Sequence, residues 1–290
     1  MARPRKQLGG GARLSARLPH RVSRLLPERP LPHGWRDAVL QVALWGLADL
    51  LYEGVRGIVV GHQSVALMNA ESIVDFEKAT GTFWEPSLQR LVIHSHGLVV
   101  AANWIYGNAQ FTVNAAFLAF IYLYRNRIFY FVRNMFFVAM GIALIVHLAI
   151  PVAPPRMLPG YGFVDTIQRF AHINQDSGAI SLFVNPYAAM PSMHMCFALL
   201  VGITGLRLTQ RWWLRLAFVA YPLLVLAVVV VTANHFLLDA VAGALTAVAA
   251  ALAAQLIMSR VRPGHWAWVT PRPVAVPASS AGRTAADARI

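Results

Sequence analysis

Apolar residues gather along this chain into seven long stretches, approximately 38–60, 88–107, 111–125, 134–151, 191–206, 214–232 and 235–257. A helix that crosses a bilayer needs about 20 predominantly apolar residues. The pattern therefore predicts an all-α, polytopic transmembrane bundle over 37–262, with six or seven spans. Segment 111–125 is short, and 38–60 is the least regular because it carries Asp49, Glu53 and Arg56. Two regions between spans stand apart. In 61–87, Val65, Met68, Ile73 and Phe76 recur at helical spacing among Glu71, Asp75, Glu77 and Lys78, the pattern of a helix lying along the interface. Residues 152–190 form a loop of about forty residues, and loops this long are usually functional or disordered. With Phe163, Ile167, Phe170, Ile173, Leu182 and Phe183 it is too apolar for a plain linker, so it is expected to fold over an active site. The ends, 1–36 and 263–290, read as flexible tails, with Trp266 and Trp268 suited to an interface.

Composition sharpens this picture. Only 13% of the 290 residues are charged and 57% are hydrophobic, with a mean hydropathy of +0.53. Soluble domains carry about 25% charged residues. The net charge of +13 is concentrated: residues 1–36 hold nine Lys or Arg against one Glu. Positive charge in a tail and in short loops beside apolar spans suits anionic lipid headgroups rather than nucleic acid. The single cysteine, Cys196, excludes an intrachain disulfide and any cysteine-based metal or iron–sulfur site. No His-Glu-x-x-His pattern occurs, so neither a metal nor another cofactor is expected. No secretory signal peptide is evident.

Arg125, Arg127, Arg133, Arg207, Arg211, Arg215, Arg260 and Arg262 fall on one face by helix alternation. The positive-inside rule makes that face cytoplasmic and puts the 152–190 loop outside, pointing to the plasma membrane and an extracytoplasmic site. Seven spans would place the basic N-terminal tail outside as well, against the rule. That conflict disappears if 38–60 is not a simple span.

Ionisable residues in membrane segments are costly and are functional candidates by default. Two clusters open helices on the outer face. In Ala189-Met190-Pro191-Ser192-Met193-His194, Pro191 suits a first helical turn, and the free amides and dipole of a helix start form a ready anion site beside Ser192 and His194. In Asn234-His235-Phe236-Leu237-Leu238-Asp239, His235 and Asp239 are four apart and able to touch. A carboxylate on one imidazole nitrogen leaves the other free to attack or to accept a proton. Arg156 opens the long loop with a planar fork suited to phosphate oxygens, and Asp165 is a candidate partner for a loop cation such as Arg156. His147, Asn185 and Tyr187 are candidates for the cavity lining. His94, His96, Asn103 and Asn108 are better read as interhelical hydrogen-bonding groups. Trp84-Glu85-Pro86 is read as seating the interfacial segment.

AMPSMHMCFALLVG, followed about forty residues later by NHFLLDAVAG, resembles the second and third motifs of the type 2 phosphatidic acid phosphatase superfamily, over roughly residues 40–260. NPYAAMPSMH, with PVAPPR upstream, is similar to its inositol phosphorylceramide synthase-like branch. The resemblance implies a six-helix core and metal-independent catalysis through a phosphohistidine. His235 would be the nucleophile, Asp239 its orienting partner and His194 the acid for the leaving oxygen, with Ser192, Asn234 and Arg156 on phosphate oxygens. The chain departs from the family pattern where Ala149 replaces a Lys, Met157 a Pro, and Val228-Val229 a Ser-Arg pair. Two cationic contacts are thus missing, which suits a singly charged phosphodiester better than a doubly charged monoester.

These readings converge on a membrane lipid phosphotransferase or phosphatase whose partners are a phospholipid or polyprenyl-phosphate substrate and an alcohol acceptor such as inositol. A polyprenyl-(pyro)phosphate phosphatase is a second enzymatic reading. A proton-coupled lipid or solute transporter, with His235–Asp239 as a relay, is the rival of another class. Transporters characteristically show paired broken segments in two similar halves, and this chain has none.

Overall fold

The computed structural model describes residues 31–58, 63–171 and 187–262. Its helices are α1 (Gly34–Ile58), α2 (Gln63–Thr80), α3 (Glu85–Val92), α4 (His96–Tyr124), α5 (Asn126–Ala149), α6 (Thr166–Ala171), α7 (Met193–Leu208), α8 (Trp212–Val231) and α9 (Leu237–Val261). Among the described residues there is no strand, only an isolated bridge between Val152 and Ala188. The protein is an all-α polytopic membrane bundle. α5, α8 and α9 are long and apolar enough to cross a membrane, and α7 is apolar over 16 residues. α1 and α4 are as long but carry polar stripes.

The segments expected at 88–107 and 111–125 are not two spans. α3 ends at Val92, a short turn follows, and α4 then runs unbroken from His96 to Tyr124. The polar residues at the expected seam are satisfied inside the helix. Asn108 Nδ2 donates to the Trp104 carbonyl at 2.9 Å, and Thr112 Oγ1 to the Asn108 carbonyl at 2.8 Å. Groups bonded back to the preceding turn need not terminate a helix.

One segment fewer brings the start of α1 to the Arg-rich end of the bundle. There Asp37 accepts from Tyr122 at 2.8 Å and from Tyr130 at 3.2 Å, and Arg133 donates to Gln41 at 2.6 Å. At the same end Arg215 donates to the Leu206 carbonyl at 3.0 Å, satisfying an orphan carbonyl in the last turn of α7. The start of α1 thus lies beside the Arg-rich turns, and 38–60 lies largely within the regular helix α1.

The bundle closes through small residues. Ala139 and Ala143 of α5 and Ala247, Ala250 and Ala254 of α9 are buried in one cluster with Phe136 and Phe197, and such residues let helix backbones approach. Gly202 and Gly205 receive Phe218 of α8, and Gly243 of α9 receives the start of α7. A Cβ at 243 would lie 2.3 Å from the Ser192 carbonyl oxygen.

α2 and α3 lie across the end of the bundle opposite the Arg-rich turns. The helix expected there is α2, and it turns small side chains inward: Ala66, Ala70, Ile73, Val74 and Glu77 are buried, while Val65, Met68 and Phe76 are exposed on the side free for an interface. The cause is close approach. The Ala66 carbonyl accepts from the Ala153 amide at 3.0 Å, which leaves room for small side chains. The described parts of the 152–190 loop fold onto this layer. Val152 exchanges backbone bonds with Tyr187 and Ala189, and the Arg156 amide donates to the Ala233 carbonyl at 2.8 Å.

Candidate active site

The two histidine motifs meet because α7 and α9 begin side by side. The Ser192 amide donates to the Asp239 carbonyl at 3.0 Å, a contact that Gly243 makes sterically feasible one turn further on. The rings of His194 and His235 are 5.6 Å apart between centroids. His235 is buried, and its Nδ1 is 2.9 Å from the Ala189 carbonyl oxygen. A carbonyl only accepts, so Nδ1 carries the proton, and in the neutral ring the lone pair sits on Nε2. That Nε2 is buried with no hydrogen-bond partner among the described residues, on a residue that lines a cavity of about 110 Å³ shared with His194.

Asp239 Oδ2 stands 3.5 Å from His235 Nδ1 and accepts from the Phe236 amide at 2.9 Å. The Ala189 carbonyl is therefore the closer orienting partner, with Asp239 as the charge behind it. Arg156 Nη1 donates to Asn234 Oδ1 at 2.8 Å, and its Nε is 3.5 Å from Asp165 Oδ2, so the arginine is anchored next to the nucleophile's own turn. Ser192 is fully buried and is the N-cap of α7, accepting from the Met195 amide at 3.4 Å. His194, Ser192, His235, Asp239, Asn234 and Arg156 thus lie at one end of the bundle.

The lining candidates fare differently. His147 is buried behind the cavity, with Nδ1 3.3 Å from the hydroxyl of Tyr52, a lining residue, because it faces the α1–α5 contact. Tyr187 packs in the apolar cluster under α2, and its neighbour Ala188 is the one that reaches the cavity. Asn185 lies outside the described residues. His94 and His96 are exposed and make no interhelical hydrogen bond among the described residues; His96 instead packs on Phe170 of α6. Asn103 does bond across elements, donating to the Thr166 carbonyl at 3.0 Å, whereas Asn108 bonds only within α4.

Several contributors lie outside the motifs. Tyr106 of α4 stacks on His194 at 4.4 Å with planes 21° apart, and its carbonyl is 3.3 Å from His194 Nε2. Gln110 lines the same cavity one turn on. Asn103, Tyr106 and Gln110 form a polar stripe at helical spacing, the one signal that could have found them. The far wall is Asp49, Tyr52 and Glu53 of α1, again spaced as one helical face. Two of the three charges that made 38–60 look irregular, Asp49 and Glu53, are the polar face of the site. Val228 and Val229 line a small pocket beside Tyr106 and His194, so the missing Ser-Arg pair leaves apolar surface there.

The amides at the start of α9 are held from afar. Leu237 donates to Glu85 Oε1 and Leu238 to Glu77 Oε1, each at 2.9 Å. Both glutamates are buried, and burial, reinforced by a hydrogen bond with Glu85, pushes the Glu77 carboxyl up to about 9. Nothing local in the sequence marks these contacts. Among the described residues, no cluster of three or more metal-ligating side chains is present.

Comparison with known proteins agrees with this geometry. A family model described as the PAP2 superfamily matches residues 71–253, which include both histidine motifs, Arg156, Glu77 and Glu85. No curated protein and no solved structure matches the chain. The match covers well over half of the sequence: the chain belongs to the PAP2 superfamily, whose membership makes it a membrane phosphatase or phosphotransferase.

Proposed function

We propose that this protein is a lipid phosphotransferase that works through a phosphohistidine at His235. The observation that carries the reading is the buried, unpartnered Nε2 of His235 in the cavity it shares with His194. Nε2 attacks the phosphorus of a phosphodiester donor and an N–P bond forms. The bond from phosphorus to the leaving oxygen breaks, and His194 supplies the proton to that oxygen. An acceptor hydroxyl then attacks the phosphohistidine, its proton passes to His194, and the N–P bond breaks. A nucleophile of this kind divides one displacement into two easier steps. Arg156, held by Asn234 and Asp165, and the amides at the start of α7 beside Ser192 are the donors for the phosphate oxygens. None of these steps calls for a metal ion.

Charge favours a phosphodiester donor and a hydroxyl-rich acceptor. Val228 and Val229 stand where a family member has a Ser-Arg pair, and Asp49 and Glu53 form the opposite wall. With Ala149 also standing in place of a Lys, two absent cations and two added carboxylates raise the cost of a dianionic monoester more than that of a monoanionic diester. The same carboxylates can accept hydrogen bonds from a polyol such as inositol. Orientation follows from the Arg-rich turns: with that end cytoplasmic, the site opens at the outer leaflet of the plasma membrane.

The test uses purified wild type and His235→Ala in liposomes of mixed phospholipids and polyprenyl phosphates with inositol outside. Lipid products are followed by mass spectrometry and phosphate by release. Headgroup-exchanged lipid from wild type alone, undiminished by a chelator, is the expected result. Free phosphate alone would make the protein a phosphatase, and equal products from both proteins would remove His235 from the mechanism.

A further inference from the structure

Three consecutive amides at the start of α9 are each held by a different carboxylate: Phe236 by Asp239, Leu237 by Glu85 and Leu238 by Glu77, all at 2.9 Å. Two of these carboxylates come from helices that precede α9 by some 150 residues. Glu77 is 1% exposed and Glu85 0%, and the second oxygen of each, Oε2, is buried with no donor among the described residues. Two carboxylates held on adjacent amides cannot hydrogen-bond to each other unless one carries a proton, and a single proton shared through the Oε2 atoms would satisfy both. It would also leave two negative charges rather than three at the helix start. His235 sits just before these amides, and its orienting partner Asp239 just after.

We propose that Glu77 and Glu85 are positioning residues, a proton-sharing acid pair that holds the start of α9 so that His235 and Asp239 keep their geometry, and whose deprotonation sets the alkaline limit of activity. This rests on His235 being the nucleophile. The titratable groups acting on Glu77 are Glu85 from α3 and Asp239 from α9, both of which raise its affinity for the proton, while the Leu238 amide opposes them. On its own helix, Lys78 lies over the rings of Tyr161 and Phe83. The sign follows. Folding raises the Glu77 carboxyl from 4.5 to about 9, so its contribution to stability is complete below about 4.5 and is lost as pH rises through about 9. Above that point adjacent buried charges repel beneath the nucleophile.

The experiment compares full-length wild type, Glu77→Gln, Glu85→Gln and Glu77→Ala in detergent micelles. Turnover of bis(p-nitrophenyl) phosphate is measured against pH, with melting and infrared spectra in parallel. Glutamine at 77 still accepts from the Leu238 amide and donates permanently to Glu85. Glu77→Gln is therefore expected to keep neutral-pH turnover within about threefold and to move the alkaline fall up by about one unit or more. Glu77→Ala should lower kcat about tenfold or more with little change in KM. In the infrared, wild type should show the carbonyl stretch of a buried protonated carboxyl at neutral pH, and either glutamine variant should abolish it. An alkaline fall that Glu77→Gln leaves in place, or a wild-type spectrum without that band, overturns the proposal. A wild type inactive on this ester would count against the His235 reading. The infrared band and a Glu77→Gln melting curve flattened toward pH 9 would then decide the acid pair independently.

Discussion

The two helices that carry the histidines begin within hydrogen-bonding distance of each other, yet they are held in opposite ways. α7 is capped from its own sequence: Ser192 accepts from Met195, three residues on, at 3.4 Å. α9 has one local cap, Asp239 on Phe236, and two borrowed ones, Glu85 and Glu77. The difference matches the tasks proposed for the two starts. α7 offers its first-turn amides to an anion, and a single short side chain leaves the rest of that turn available. α9 presents a nucleophile, and acceptors bonded to its amides remove them from competition for phosphate and fix the backbone that carries His235.

The severest test of this division is His235→Ala. It removes the buried Nε2 while leaving all three carboxylate caps of α9 in place, so turnover should fall by at least about a thousandfold with little change in melting temperature. A melting temperature that fell with the activity would mean that His235 holds the helix start rather than using it.

Next comes the contact that joins the two starts. A Cβ on Gly243 would sit 2.3 Å from the Ser192 carbonyl oxygen, an atom of backbone that cannot swing aside. Gly243→Ala should separate α7 from α9 and cost about 1–3 kcal/mol of stability as overpacking. Turnover should drop more steeply than stability, because the His194–His235 spacing changes. Melting and kcat measured on one preparation separate these effects. An alanine variant with wild-type turnover would show that the two histidines need not be held by the Ser192–Asp239 contact.

How much of this was readable beforehand follows the same divide between local and borrowed. The Pro191-Ser192-x-His194 and His235-x-x-x-Asp239 patterns are local, but their helices begin later than expected, at 193 and 237: Pro191 precedes the N-cap Ser192 instead of opening the first turn, and His235 reaches Asp239 from the turn before α9 rather than along a helix face. Asp49, Glu53, Tyr106 and Gln110 were legible only as polarity in apolar helices. Helical period explains both why they looked like flaws in a span and why they line one cavity. Glu77 and Glu85 were not legible in that sense. In sequence they sit among Asp75, Lys78 and Trp84 like residues of a solvated surface, and their role exists only once α2 and α3 lie across α9. The misplaced break in α4 has the same origin, since Asn108 and Thr112 return their polarity to the helix that contains them.

The acidic wall offers a gentler way to sharpen the comparison, since it acts on the cavity without touching either helix start. Asp49→Asn with Glu53→Gln removes two negative charges opposite His194 and His235. The ratio of kcat/KM for a phosphomonoester to that for a phosphodiester should rise about tenfold, equivalent to about 1.4 kcal/mol of differential electrostatic energy. The measurement is paired hydrolysis of p-nitrophenyl phosphate and its diester. An unchanged ratio would remove Asp49 and Glu53 from substrate selection and leave the cations missing at Ala149 and Val229 as the electrostatic reason for preferring a diester.

The smallest effect belongs to the cap of α7 itself. Ser192→Ala deletes one acceptor from a helix start whose bond to Met195 is already long, so the loss should lie toward the low end of the usual range for N-caps, about 0.5–1 kcal/mol. At this chain length that is a shift of about 1–4 °C in melting temperature. Turnover should fall by a few-fold only, because the α7 amides stay in place through the Ser192–Asp239 backbone bond, which alanine retains. Glu77→Ala in contrast strips an amide of the nucleophile's helix of a buried acceptor and leaves the partner carboxyl without its shared proton. The two substitutions each remove one cap, from helices that start side by side. A larger activity loss from Glu77→Ala than from Ser192→Ala is what the division of labour requires, and equal losses would mean that the borrowed caps of α9 do no more than an ordinary one.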